Sequence, residues 1–158
     1  MTSSDRQPSV LFVCLGNICR SPLAEAALRA RLEEAGLEAE VDSAGTGDWH
    51  VGNPPDPRAQ SIARLNGHDI AAYRGRQVRE ADFRRFTHIF ALDHENLAEL
   101  KDRAPADATA QLALLLDLVE GMEGEPVADP YFGGEDGFHT TWDQVDRAAQ
   151  ALVARLQS

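Results

Sequence analysis

Four apolar residues in succession, Val10 to Val13, read as a short strand buried on both faces. A polar stretch follows, and Ser21-Pro22 reads as the cap and first residue of a helix. Ala24, Leu28, Leu32 and Ala35 then recur at helical spacing, and Gly36 ends the run. Glu38 to Ser43 predicts a second strand, and Ala44 to Pro57, rich in Gly, Asn, Asp and Pro, predicts a loop. From about Pro57 to Leu65 the pattern is helical again and stops at Asn66-Gly67. Another helical stretch covers about Glu80 to Phe86, ahead of a buried strand from His88 to Leu92. Asp93 is placed to cap a helix carrying Leu97 and Leu100. Leu112 to Leu116 suits a strand or a buried helix equally, and the alternation of the whole chain selects a strand. Phe138, Trp142, Val145, Ala149 and Leu152 define the inner face of a last helix, from about Phe138 to Leu156.

Alternation of this kind predicts an α/β fold, a parallel sheet with helices on both faces that binds ligands beyond the carboxyl ends of its strands. Cys14 stands at that edge. With 158 residues, 43% of them hydrophobic, the chain is the size of one domain, residues 1–8 forming a polar lead. No apolar run approaches the ~18 residues of a membrane span, and MTSSDRQPS lacks the regions of a signal peptide, so a cytoplasmic location without membrane contact is expected. The net charge of −11 argues against general nucleic-acid binding. It also repels acidic phosphoproteins, so any anionic substrate needs locally positive ground. The charge is uneven: fourteen acidic residues lie between Asp93 and Asp146 against Lys101 and Arg103, whereas Arg74, Arg76, Arg79, Arg84 and Arg85 cluster. A solvated helix face is the favoured reading of those arginines, a docking patch for phosphoprotein the alternative.

The chemistry concentrates between the first strand and the first helix. A loop squeezed between a strand's carboxyl end and a helix's amino end gathers free backbone N–H groups around one point, which suits an anion. This loop begins with Cys14, contains Gly16 and Asn17, and closes with Arg20. The positive potential that attracts phosphate also favours thiolate over thiol, and a thiolate is a nucleophile. Arg20 can present two donors at once to phosphate oxygens. A lone cysteine is more often a small buried residue, but the combined pattern is far more specific. Cys14 and Cys19 are the only cysteines and no histidine pair has ligand spacing, so a metal site is not expected. The GxxxxGK[ST] loop of nucleotide-binding proteins is absent.

Strand, then CLGNICRS, then helix at the start of a chain of this length resembles the low-molecular-weight protein tyrosine phosphatases, with their CX5RS loop. The resemblance implies a three-layer fold on a four-stranded parallel sheet. It implies hydrolysis of phosphotyrosine in proteins through a phosphocysteine on Cys14, with no cofactor. The product is inorganic phosphate, and a monomer or weak dimer is expected. Leu15, Gly16, Asn17, Ile18, Cys19, Arg20 and Ser21 become the phosphate-binding loop. Asp129, in ADPYFGG, matches the family's general acid and base, although Asp-Pro alone is ordinary turn chemistry. Trp49 either packs into the core or stands at the rim of a cleft. The resemblance makes it one wall of the slot for the substrate ring, with Tyr131 on the other wall and Phe132 beside it. Asn17 and Ser43 resemble residues that support the loop, and Ser21 the hydroxyl that donates to the thiolate. Without the family, Asn17 is a residue tolerant of left-handed backbone and Ser21 a plain cap. Cys19 either packs as a small residue or resolves an oxidised Cys14 as a disulfide. The chain departs from the pattern between Gly67 and Gln77, with one extra residue and Ala72-Tyr73 in place of a supporting histidine, and it has Asn66 where many animal relatives have histidine.

Two related activities share the loop. Arsenate reductases that resolve their cysteine internally need further cysteines, and none follows Cys19. Phosphoarginine phosphatases carry threonine at the position of Ile18, so the apolar residue favours phosphotyrosine. A non-catalytic phosphoprotein reader is the contrasting class, and the filled catalytic positions argue against it.

Overall fold

The computed structural model describes residues 7–130 and 135–157. Four strands, β1 (Ser9–Cys14), β2 (Glu40–Gly45), β3 (His88–Ala91) and β4 (Gln111–Leu114), form one sheet in the order β2-β1-β3-β4. Every pairing is parallel, with Val10 opposite Val41 and His88, and Ile89 opposite Leu112. The helices are α1 (Arg20–Ala35), α2 (Pro57–Leu65), α3 (Asp82–Arg85), α4 (His94–Arg103) and α5 (Glu135–Gln157). No described helix is long and apolar enough to cross a membrane.

The central strand explains why β1 reads as a continuous apolar run. Its side chains alternate between two cores: Val10, Phe12 and Cys14 join Leu23, Leu28, Ile62, Phe138 and Leu152, whereas Leu11 and Val13 join Phe83, Phe86 and Leu100. The first core is roofed by α1, α2 and α5, the second by α3 and α4. Cys14, last residue of β1, therefore points to the side of α1, and the loop after it turns directly into that helix.

Local signals set most boundaries. Gly36, at φ 70°, ends α1, with Leu37 N–H donating to Leu32 O at 2.9 Å. Asp56 accepts from Arg58 N–H to cap α2, with Pro57 in its first turn, and Asp93 accepts from Asn96 N–H to cap α4.

The structure corrects several expectations. Ser21 is not the cap of α1: the helix starts at Arg20 behind Cys19, which makes no side-chain capping bond, and the Ser21 hydroxyl is engaged elsewhere. Ala35 is only partly buried. The second strand runs from Glu40 to Gly45 rather than from Glu38 to Ser43. The stretch from Glu80 to Phe86 yields a single helical turn, with the Asp82 carboxylate accepting from the Arg76 guanidinium and from Arg79 N–H. Leu112 to Leu116 divides, β4 ending at Leu114 and a tight 3-10 turn covering Leu115–Leu118. The last helix begins earlier, at Glu135. The clustered arginines do not share one helix face. Arg76 pairs with Asp42 and Asp82, Arg84 with Asp107 and Arg85 with Glu40, while Arg74 donates to the carbonyls of Ala71 and Tyr73.

Candidate active site

The segment from Cys14 to Arg20 curls at the carboxyl edge of the sheet, and Asn17 makes the curl. Its φ of 58° is the only left-handed value of a non-glycine residue among those described. This conformation costs about 1 kcal/mol or more for an L-residue, least for asparagine. What compensates is visible, because every polar atom of the buried side chain is bonded. Nδ2 donates to Ser21 Oγ at 2.8 Å and to Ser43 Oγ at 3.0 Å, and Oδ1 accepts from Arg76 N–H at 3.0 Å. Asn17 N–H itself donates to Cys14 Sγ at 3.3 Å. The loop is also tied to the sheet's end, Cys14 O accepting from Thr46 N–H and Leu15 O from Gly47 N–H, both at 2.9 Å. Among the described residues no backbone carbonyl accepts from the N–H groups of Leu15, Gly16, Ile18 or Cys19. They remain available to a ligand.

Two serines carry the network outward from Asn17. Ser21 Oγ, already accepting from Asn17, lies 3.0 Å from Cys14 Sγ and keeps its hydrogen for a thiolate there. Ser43, likewise accepting from Asn17, donates to Glu25 Oε1 at 2.8 Å. Glu25 is 5% exposed, and burial pushes its carboxyl up despite the bonds from Ser43 and Arg29. Arg29 grips the other oxygen with two N–H groups, at 3.0 and 2.8 Å. Tyr73, from the segment that departs from the family pattern, lies in the same field, and burial and Glu25 push its phenol up to about 12. Glu25 and Arg29 had shown themselves in the sequence only as helix positions.

Arg20 is 4% exposed yet reaches three residues on two segments. Nη1 donates to Asp93 Oδ2 at 2.9 Å and to Val127 O at 3.0 Å, and Nη2 lies 3.6 Å from Asp129 Oδ2. Asp93 thus caps α4 with one oxygen and holds the arginine with the other. The segment carrying Asp129 is pinned by Val127 N–H on Leu92 O, by Ala128 N–H on Gln144 Oε1, and by Thr141 Oγ1 on Ala128 O. Asp93, legible in the sequence as a helix cap, also orients Arg20, whereas Thr141 and Gln144, which position the Asp129 segment, carry no sequence signal.

A hollow of about 160 Å³ opens above the sulfur, lined by Cys14, Leu15, Gly16, Ile18, Cys19, Arg20, Trp49, His50 and Asp129. Trp49 is 68% exposed, which places it at the rim and not in the core. His50 lines the hollow unannounced by any sequence signal. Tyr131 and Phe132 lie outside the described residues. Cys19 is a free buried thiol, pushed up by burial and then by the nearby charges of Asp56, Cys14 and Asp129. Among the described residues no cluster of three His, Cys, Asp or Glu is placed to hold a metal ion. A larger groove of about 780 Å³, lined by Pro8, Arg29, Leu37 and Glu40 among others, has none of these catalytic groups.

The comparisons with known proteins agree with this geometry. The family model described as low molecular weight phosphotyrosine protein phosphatase matches residues 9–158. The chain belongs to that family. A low molecular weight phosphotyrosine protein phosphatase of Schizosaccharomyces pombe is 45% identical over 150 residues, covering 93% of this chain and 96% of the relative. Among solved structures, a protein tyrosine phosphatase from Entamoeba histolytica, with Hepes in the active site, superposes with a TM-score of 0.90 at 37% identity, covering 96% of this chain and 97% of its own. A drosophila arginine phosphatase superposes with a TM-score of 0.89 at 36% identity, covering 94% and 98%. The relatives named protein tyrosine phosphatases are hydrolases, and the backbone alone does not separate their specificity from that of the arginine phosphatase.

The hydrogen-bond chain of this phosphatase makes a testable claim about Glu25. Glu25→Gln keeps the shape but replaces a carboxylate acceptor by a neutral one, a difference of about 1 kcal/mol per bond. We expect kcat on p-nitrophenyl phosphate to fall about three- to tenfold with KM unchanged, and the loss to vanish in a Ser43→Ala background. Steady-state kinetics on the two single variants and the double variant check this.

Proposed function

We propose that this phosphatase hydrolyses phosphotyrosine in proteins by way of a phosphocysteine, with Cys14 as nucleophile, Arg20 as phosphate clamp and Asp129 as general acid and base. The observation that carries the reading is the convergence of Cys14, Arg20 and Asp129 on one hollow, with the Ser21 hydroxyl 3.0 Å from the sulfur. In the first step the Cys14 thiolate forms an S–P bond as the P–O bond to the phenol breaks. Asp129 delivers its proton to the departing oxygen, whose phenol titrates near ~10 and leaves slowly as an anion. In the second step water forms a new P–O bond and the S–P bond breaks. The Asp129 carboxylate takes the water's proton, and Ser21 donates to the returning thiolate. The unused N–H groups of Leu15, Gly16, Ile18 and Cys19, with Arg20, supply donors to the equatorial oxygens throughout. Inorganic phosphate is released.

Several observations support tyrosine over its competitors. Trp49, Leu15 and Ile18 give the hollow apolar walls that suit an aryl group, and Ile18 supplies no hydroxyl to a guanidinium. The chain has two cysteines, both in the loop, so a cysteine relay for arsenate has no further member. We also read Cys19 as the redox partner of Cys14. Peroxide takes the Cys14 thiolate to a sulfenic acid, and Cys19 sulfur then attacks it, forming the disulfide and expelling water. Both thiols line the same hollow. Residues 1–158 act as one domain, in the reducing cytoplasm, as a monomer or weak dimer on phosphotyrosyl proteins.

Cys14→Ser is expected to abolish turnover of p-nitrophenyl phosphate, which the unaltered protein hydrolyses without added metal; residual turnover near the original rate overturns the mechanism. Asp129→Ala should slow phenyl phosphate by about 10²–10⁴-fold and activated p-nitrophenyl phosphate far less. Equal losses on both remove Asp129 from the acid role. Brief peroxide treatment followed by mass spectrometry should reveal a Cys14–Cys19 disulfide, and sulfinic Cys14 alone discards Cys19 as its partner. Rates on phosphotyrosyl, phosphoseryl and phosphoarginyl peptides side by side decide the substrate class.

A further inference from the structure

The wall of the hollow is built from two rings that rest on glycine backbone. The position where Gly47 would carry a Cβ is filled by the Trp49 indole: Cζ3 lies 1.8 Å from it, Cε3 2.3 Å and Cη2 2.8 Å. Beside it, the corresponding position at Gly16 is 3.1 Å from His50 Cδ2. Contacts of the first kind do not occur between real atoms, so no residue other than glycine at 47 allows the ring to lie where it does. The backbone itself makes no such demand, since Gly47 is not among the residues at positive φ. Gly47 is required by the ring and by nothing in its own conformation.

The seat also has a fixed relation to the sulfur. Gly47 N–H donates to Leu15 O at 2.9 Å and Thr46 N–H to Cys14 O at 2.9 Å, so the chain under the indole is bonded to the first two residues of the phosphate loop. Trp49 is 68% exposed and has little else to hold it. A ring so weakly enclosed takes its position from the surface it lies on, and that surface is registered to the nucleophile by two hydrogen bonds.

We propose that Gly47 is a specificity-determining position: the missing side chain seats the Trp49 ring against backbone tied to the phosphate loop, and so sets the width of the slot that accepts an aromatic leaving group. The inference rests on the reading of Trp49 as a wall of that slot. A methyl group at 47 displaces the indole from its seat and alters how an aryl phosphate is held. Phosphates whose leaving group carries no ring do not use the wall and are insensitive to it.

The test is a double-mutant cycle on Gly47→Ala and Trp49→Ala, with a phosphotyrosyl peptide and p-nitrophenyl phosphate as ring substrates and acetyl phosphate as the substrate without a ring. For Gly47→Ala we expect kcat/KM on ring substrates to fall about three- to tenfold, chiefly through KM, as fits lost ring contacts. Acetyl phosphate turnover should be unchanged. In the Trp49→Ala background the same substitution should have no effect on any substrate. Tryptophan emission provides a second reading: Gly47→Ala should shift it, and should not once Trp49 is gone and only Trp142 reports. The inference is overturned by an equal loss on acetyl phosphate, by the same loss in the absence of Trp49, or by unchanged kinetics and emission. If Trp49→Ala itself leaves ring substrates unaffected, the wall reading fails instead, whatever Gly47→Ala does.

Discussion

The Asn17 carboxamide binds the catalytic loop to the sheet and to the neighbouring segment at once, and the positions of the sulfur's partners follow from it. A left-handed residue in the middle of the loop turns the chain back over Cys14, and the strain is held by bonds to Ser21, Ser43 and the Arg76 backbone. Because asparagine has two N–H groups and gives one to each serine, Ser43 directs its hydrogen to Glu25, and Ser21 has its own free to donate to the sulfur when the sulfur is ionised. The Cys14 sulfur and the buried Glu25 carboxyl stand at opposite ends of the same hydrogen-bonded chain. A half-satisfied version of such a network is worse than an apolar core, so its members are mutually dependent.

A second constraint acts through Arg20. The protein carries a formal charge of −11, yet the reaction proposed for it brings an anionic phosphate next to the Cys14 sulfur. The cation that makes this feasible is buried and oriented by Asp93, which is itself held as the cap of α4. A surface ion pair contributes about 0–1 kcal/mol and is easily rearranged. Here the arginine is removed from water and bonded on several sides, so its fork is directed before a substrate arrives. The same guanidinium lies 3.6 Å from Asp129, so the proposed mechanism couples the group assigned to clamp the phosphate to the group assigned to move the proton.

The loop and the rim are held by different parts of the molecule, although Leu15 and Ile18 of the loop line the hollow together with Trp49 of the rim. The loop and Arg20 are framed by β1, α1 and α4, all regular elements with buried faces. The rim is made by Trp49 and His50 and by Asp129, on segments outside the regular elements. This division explains how a phosphotyrosine phosphatase and an arginine phosphatase superpose equally well on one chain. The framework is common to both.

What the sequence by itself determined is local. The apolar run of β1, the faces of α1 and α5, the caps at Asp56 and Asp93 and the spacing from Cys14 to Arg20 all follow from neighbours a few residues apart, where period and propensity act. Family resemblance added Asp129, Ser43 and Trp49, which have no local signature. Ser21 was legible as a helix-start residue but misread as its cap, because pattern cannot tell that the hydroxyl has a better partner across the loop. Only the tertiary structure decided that Asp93 serves Arg20 as well as its helix, that Glu25 ends the chain of donors, and that Trp49 lies on Gly47. The first of these joins residues 73 apart in the chain, and the link from Ser43 to Glu25 joins residues 18 apart. Hydrophobic periodicity records which face of an element is buried. It carries no record of which polar group on that face meets which other, since that is settled when the elements pack.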